Sequence, residues 1–202
     1  AEELAPAELM SAILKAPVDL LWFGGIGTYL KASTESNADV GDRANDAIRV
    51  NGQDVRARVI GEGANLGVTQ AGRIEFASHG GRLNTDFIDN SAGVDTSDHE
   101  VNIKIALGAA SRAGRLSGDA RDRLLADMTS EVAALVLSNN AAQTLILSVV
   151  EAHARERLQG HVRLMEMLEA SGRLDRQVEG LPGPRDIEER KRLNRGLTRP
   201  EL

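Results

Sequence analysis

Short apolar runs alternate with glycine turns over roughly the first half of the chain, and helical periodicity replaces them afterwards. Pro6 can open a helix, since Leu9, Met10, Ile13 and Leu14 recur at helical spacing before Pro17 stops it. Residues 18–23 are continuously apolar apart from Asp19, the pattern of a strand covered on both faces. Gly24, Gly25 and Gly27 then force a turn. The spacing predicts a helix over 36–50 and a turn at Asn51-Gly52. Residues 55–60 are apolar except for Arg56 and Arg58, an alternation that reads as a strand ending in the glycine turn of Gly61-Glu62-Gly63-Ala64-Asn65. Further short strands are predicted at 73–77 and 87–88. Strands alternating with helices predict a parallel sheet.

Beyond residue 97 the pattern is helical. Ser97 is placed to cap a helix, with Glu100 at the capping-box position. Val101, Ile103, Ile105 and Leu107 are too dense for a thin stripe, so this helix is expected to be buried. Ser117 and Asp119 open another, on which Leu124, Leu125, Met128, Val132, Leu135 and Val136 keep helical spacing. Asn139-Asn140 reads equally as a joint or as mid-helix. Residues 145–150 and 162–168 mark further helices around Gly160, Leu181-Pro182-Gly183-Pro184 breaks the pattern, and 186–195 forms a last charged helix. The expected architecture is α/β, a partial parallel sheet over 1–108 followed by a helical segment over 109–202.

Composition narrows the function classes. With 202 residues, 42% hydrophobic and 27% charged, the chain can bury a real core. Its net charge of −6 offers no basic footprint for nucleic acid. The absence of cysteine removes thiolate chemistry and fits a reducing cytoplasm. The longest apolar stretch, 144–150, is too short to span a bilayer. Ala1 at the start, and the helix-start pattern Arg199-Pro200-Glu201-Leu202 at the end, are expected of a piece cut from a longer chain.

Candidate chemistry gathers at two segments that place an asparagine beside small residues. Asn65 follows the 55–60 strand, and ligands of open α/β sheets bind beyond the carboxyl ends of strands. Its amide can bond a ribose or carboxamide, or simply stabilise its own turn. Asn90 stands in Asp89-Asn90-Ser91-Ala92-Gly93-Val94 with the same two readings, and the pattern puts both asparagines on one rim. Ser97 is a helix cap whose neighbouring N–H groups would suit a carboxylate. Gly24-Gly25-Ile26-Gly27 invites a phosphate-loop reading, but Leu30 stands where the dinucleotide fingerprint wants a small residue. The turn is expected to lie near a ligand rather than to cradle a phosphate. His99 has no second histidine at metal-ligand spacing, and Asp86, Asp89, Asp95 and Asp98 are accounted for by capping and turns.

Glu62-Gly63-Ala64-Asn65 and the segment from Asp86 to Glu100 resemble the large multidomain bacterial NAD-specific glutamate dehydrogenases. The likeness extends to Ala16-Pro17-Val18-Asp19-Leu20-Leu21-Trp22, Gly24-Gly25-Ile26-Gly27-Thr28-Tyr29, Ala38-Asp39-Val40-Gly41-Asp42-Arg43-Ala44-Asn45-Asp46, Arg73-Ile74-Glu75-Phe76-Ala77 and Gly196-Leu197-Thr198-Arg199-Pro200-Glu201-Leu202. The resemblance implies a Rossmann-like domain binding NAD. Gly24, Gly25, Thr28, Asn65 and Asn90 would lie on the coenzyme side, Val94 beside the substrate side chain, and Ser97 on its carboxylate. It also implies L-glutamate and 2-oxoglutarate as substrates, the rest of a long chain as partner, a homo-oligomer and a cytoplasmic location. The family's catalytic lysine and aspartate are expected upstream, because Lys15, Lys31 and Lys104 lack the required context; the piece alone should be inactive. Phe23, where asparagine is expected, and Ser91-Ala92, where smaller relatives have Ala-Gly, depart from the pattern. A structural or oligomerisation role for the helices beyond Ser117 is the alternative.

Overall fold

The structure, a computed structural model, describes residues 3–202. It is an α/β protein. Helix α1 (Pro6–Leu14) begins at the predicted proline and leads into β1 (Leu20–Phe23). Strands β2 (Leu30–Lys31), β3 (Val50–Asn51) and β4 (Val59–Glu62) follow. Among the described residues β1 pairs with β4, and β2 with β3, all parallel, as the alternation of elements predicts. Helices α2 (Asn37–Val40), α3 (Gln70–Ser78), α4 (Asp86–Asp89), α5 (Ser91–Arg112), α6 (Gly118–Ala152), α7 (Leu158–Ala170) and α8 (Pro184–Arg192) complete the chain.

The chain forms two compact units, one running to Asp86 and resuming over Ile146–Leu202, the other Phe87–Leu145. The boundary expected at 108 falls inside α5. In the first unit Leu30, Ile60, Val68 and Phe76 are at most 2% exposed and anchor a core under the strands. A second cluster, Leu158, Val162, Met165, Ile187 and Leu197, joins α7 and α8. Arg199 ties the first unit together across long sequence distances, donating to Asn84 Oδ1 (2.6 Å) and Ser148 Oγ (3.1 Å).

Several expected elements differ. The helix expected over 36–50 is broken into α2 and a short 3-10 turn at Arg43–Asn45, because Gly41 takes a left-handed φ of 76° and ends α2. Arg49 then folds the remainder back by donating from Nε to the Thr28 carbonyl (2.8 Å). Residues 73–77 are helical, not extended; Thr69 caps α3 by accepting the Gly72 N–H (3.0 Å). Residues 87–88 belong to α4, a run too short for periodicity to classify. The strand expected at 55–60 lies at Val59–Glu62. β1 is covered on one face only, with Leu20 55% and Trp22 57% exposed.

The second unit is a pair of long helices. No residue of α5 is buried, and Val101 and Ile105 point to solvent, so its apolar density does not mark a core helix. Helix α6 runs unbroken through Asn139-Asn140. Taken as a helix rather than as one apolar run, α6 is long and apolar enough to cross a membrane, with mean hydropathy 1.5 over 18 residues. A helix packed against further protein passes the same test, and the Asn139-Asn140 pair at its centre hydrogen-bonds α5 and the α4 end.

Candidate functional site

Two loops leave the carboxyl ends of the paired strands β1 and β4. The first, 24–28, follows Phe23. Gly24 and Gly25 are exposed, and a β-carbon on Gly25 would meet nothing within 4 Å. Gly27 has a φ of 130°, and a β-carbon there would sit 2.7 Å from Asn45 Nδ2, so only glycine fits. Thr28 is buried. Its N–H donates to Asp42 Oδ2 (2.8 Å) and its carbonyl accepts from Arg49. Hydrogen bonds from Asn45 and from the Thr28 N–H hold the Asp42 carboxyl below its usual range. Phe23 turns inward and stacks on Tyr29, ring centres 5.6 Å apart. Its side chain belongs to the core rather than to the loop surface.

The second loop, 63–68, carries Asn65 at its exposed tip. Its approach is glycine-lined for a reason: a β-carbon on Gly61 would lie 2.5 Å from the Trp22 ring, which also covers Gly63. The Ala64 N–H donates to the Phe23 carbonyl (3.1 Å), and the Gly67 carbonyl accepts from Tyr29 (2.9 Å). Both ends are thereby stitched to the first loop. Leu66 adopts a φ of 63°, a conformation that costs a non-glycine residue about 1–3 kcal/mol.

Beneath this loop lies a sealed ion network. Glu62, the last residue of β4, is fully buried, and Arg73 on α3 forks onto it from Nε (2.7 Å) and Nη2 (2.8 Å). Arg73 also lies 3.3 Å from Asp86 Oδ2. Both carboxylates accept from the loop, Asp86 the Leu66 N–H (2.8 Å) and Glu62 the Val68 N–H (3.2 Å). Loss of water pulls the Arg73 guanidinium down, but the hydrogen bonds and charges of Glu62 and Asp86 outweigh it and hold it above its ordinary value. Burial is also the main influence on Glu62, and pushes its carboxyl up.

Asn90, Val94 and Ser97 occur in the second unit. Asn90 follows α4 rather than a strand, which corrects its expected place at a strand end beside Asn65; the two residues belong to different units. Asn90 is the residue before α5, and Val94 and Ser97 follow at helical intervals of four and three. The three therefore share one face of the first two turns. Val94 is 59% exposed and Ser97 is exposed. Ser97 is not a cap: α5 begins six residues earlier, at Ser91. The reason is tertiary. Asn140 donates to Ser91 Oγ (2.8 Å) and to the Ile88 carbonyl (2.9 Å), and Asn139 to Asp95 Oδ2 (2.8 Å). These bonds fix the earlier turn, and the serine signal is passed over.

Glu62, Arg73 and Asp86 escaped the sequence reading, as did the task of Asn139 and Asn140. Arg73 sat in a segment read as strand, and Asp86 in one read as a turn. The one available signal was Glu62 itself, a carboxylate closing an apolar run.

Residues 1–150 match the family described as the catalytic domain of bacterial NAD-glutamate dehydrogenase. Curated relatives cover the chain over its whole length. The NAD-specific glutamate dehydrogenase of Pseudomonas aeruginosa is 57% identical over 202 residues, that of Mycobacterium tuberculosis 54% over 202, and that of Halomonas elongata 50% over 201. The chain spans 12% of the length of each.

Proposed function

The chain belongs to the bacterial NAD-glutamate dehydrogenase catalytic-domain family, and from that premise we propose that it is the later part of the catalytic core of such an enzyme. The parent would convert L-glutamate, NAD and water to 2-oxoglutarate, ammonia and NADH, in the cytoplasm and as a homo-oligomer. The observation that carries this reading is the Asn65 loop, exposed at the carboxyl end of a parallel strand pair, where α/β folds bind coenzymes. The donor set fits an uncharged carboxamide and ribose. Asn65 offers amide donors and an acceptor, and the open backbone of Gly24 and Gly25 permits close approach. NAD bound there would supply the hydride acceptor.

In this reading the coenzyme-side residues are Gly24, Gly25, Thr28, Asn65 and Asn90. Thr28 would act by fixing the loop, since its backbone groups are engaged by Asp42 and Arg49. Val94 would border the substrate side chain. Ser97 would offer its hydroxyl to the carboxylate as a mid-helix side chain, without help from helix-end N–H groups. The sheet would continue as a Rossmann-like domain in the parent, with the acid–base lysine and aspartate on another part of that chain. The 202-residue piece should then form no NADH from glutamate.

A second, compatible role is supported by the exposed apolar residues of α5 and α6, among them Val101, Ile105, Leu137 and Leu145. These helices would pack against other parts of the parent or a second subunit. Calorimetric titration of NAD into the full-length enzyme tests the main reading. Asn65→Ala should weaken binding about tenfold, the share of one or two hydrogen bonds. Unchanged affinity would contradict it.

A further inference from the structure

The left-handed Leu66 next to Asn65 poses a physical question, because its side chain is 64% exposed and gains nothing from burial that would hold the turn. What holds it is its backbone. The Leu66 N–H is fastened to Asp86, and two residues on the Val68 N–H is fastened to Glu62. Those two carboxylates would repel each other under the loop without a cation between them. Arg73 supplies it, 6% exposed and engaged with both. No atom of the network needs to reach a ligand for it to set where Asn65 stands.

We propose that Arg73 is a positioning residue for coenzyme binding: by bracing Glu62 and Asp86 it locks the 63–68 loop so that Asn65 is presented in one orientation. This rests on the reading that Asn65 contacts NAD. The planar fork is essential to the assignment, since a lysine at 73 keeps the charge but cannot hold Glu62 bidentately from two nitrogens while also reaching Asp86. Freed from the brace, Leu66 would relax toward ordinary backbone angles and carry Asn65 with it.

A double-mutant cycle in the full-length dehydrogenase tests this, with Kd for NAD, both KM values and Tm measured for each variant. Arg73→Lys should raise Kd and KM for NAD about tenfold, and KM for glutamate and kcat much less. In an Asn65→Ala background the same change should have little further effect, because the group being positioned is gone. Asp86→Ala, which removes the Leu66 acceptor but leaves the Glu62–Arg73 pair, should mimic Arg73→Lys, and Asp86→Asn, which keeps an acceptor oxygen, should restore binding. It decides the matter should Arg73→Lys fail to fold. Equal losses with and without Asn65, or a fall in Tm with NAD affinity unchanged, would overturn the proposal while leaving the Asn65 reading intact. An Asn65→Ala enzyme with normal NAD affinity would overturn both.

Discussion

In the α/β unit Phe76, Leu30, Ile60 and Val68 are at most 2% exposed and a carboxylate, Glu62, is sealed in with them; in the helical unit Val101, Ile105, Leu137 and Leu145 are each more than half exposed. The first carries its own scaffold. Its loops are fixed by backbone bonds between elements and by a buried ion network, so Asn65 sits on a preorganised platform. The second holds together through helical backbone bonds and a few polar ties, with Val136 its one buried apolar side chain among the described residues. Its site candidates stand on a helix face whose apolar neighbours are uncovered. The difference separates two ways of presenting a functional group: one by local packing, the other by a rigid helix that needs further protein around it.

The comparison breaks most readily in the cores. Phe76→Ala should destabilise the chain by about 3–5 kcal/mol, because it empties a close-packed site, whereas Leu137→Ala should change stability by less than about 0.5 kcal/mol. Urea denaturation of both variants checks this. Similar values for the two would mean that the helical unit has a core of its own.

A smaller effect is expected where the helical unit has polar ties. Asn140→Ala leaves the Ser91 hydroxyl and Ile88 carbonyl without this donor and should cost about 1–2 kcal/mol. Amide exchange over 88–93 should quicken while that over 63–68 is unchanged. Unchanged exchange over 88–93 would show that Asn140 is not what holds this turn.

The mildest effect is acid loosening of the 24–28 loop. The Asp42 carboxyl is lowered in the folded chain, so its stabilisation is complete above the ordinary aspartate value of 3.8 and is lost as pH falls through the lowered one. The Thr28 amide should therefore lose exchange protection, after correction for intrinsic rates, as pH drops below about 4, and Asp42→Asn should remove the transition. Protection that is constant down to about pH 2 would show that Asp42 is not what holds the turn.

The comparison also explains what could be read from the residues alone. The α/β class, the proline start of α1 and the Asn65 turn were legible, because glycine, proline and strand alternation act locally. Arg73 was misread as strand, since its partner Glu62 lies eleven positions away on another element. Ser97 was misread as a cap because the pattern Ser97-x-x-Glu100 is a good local signal, overruled by Asn139 and Asn140 more than forty positions on. Helix α5 was expected to be buried from its apolar density, but density does not say what will cover it.

The most direct test of the account pairs the two presentations in one enzyme. Steady-state kinetics of full-length Asn65→Ala and Ser97→Ala would give KM for NAD and for glutamate in each. Asn65→Ala should raise KM for NAD about tenfold with little change for glutamate, and Ser97→Ala should raise KM for glutamate about tenfold or more, as expected for one hydrogen bond to a charged group. Both variants shifting the same KM, or neither shifting either, would contradict the assignment of coenzyme to the β4 loop and of substrate to the α5 face.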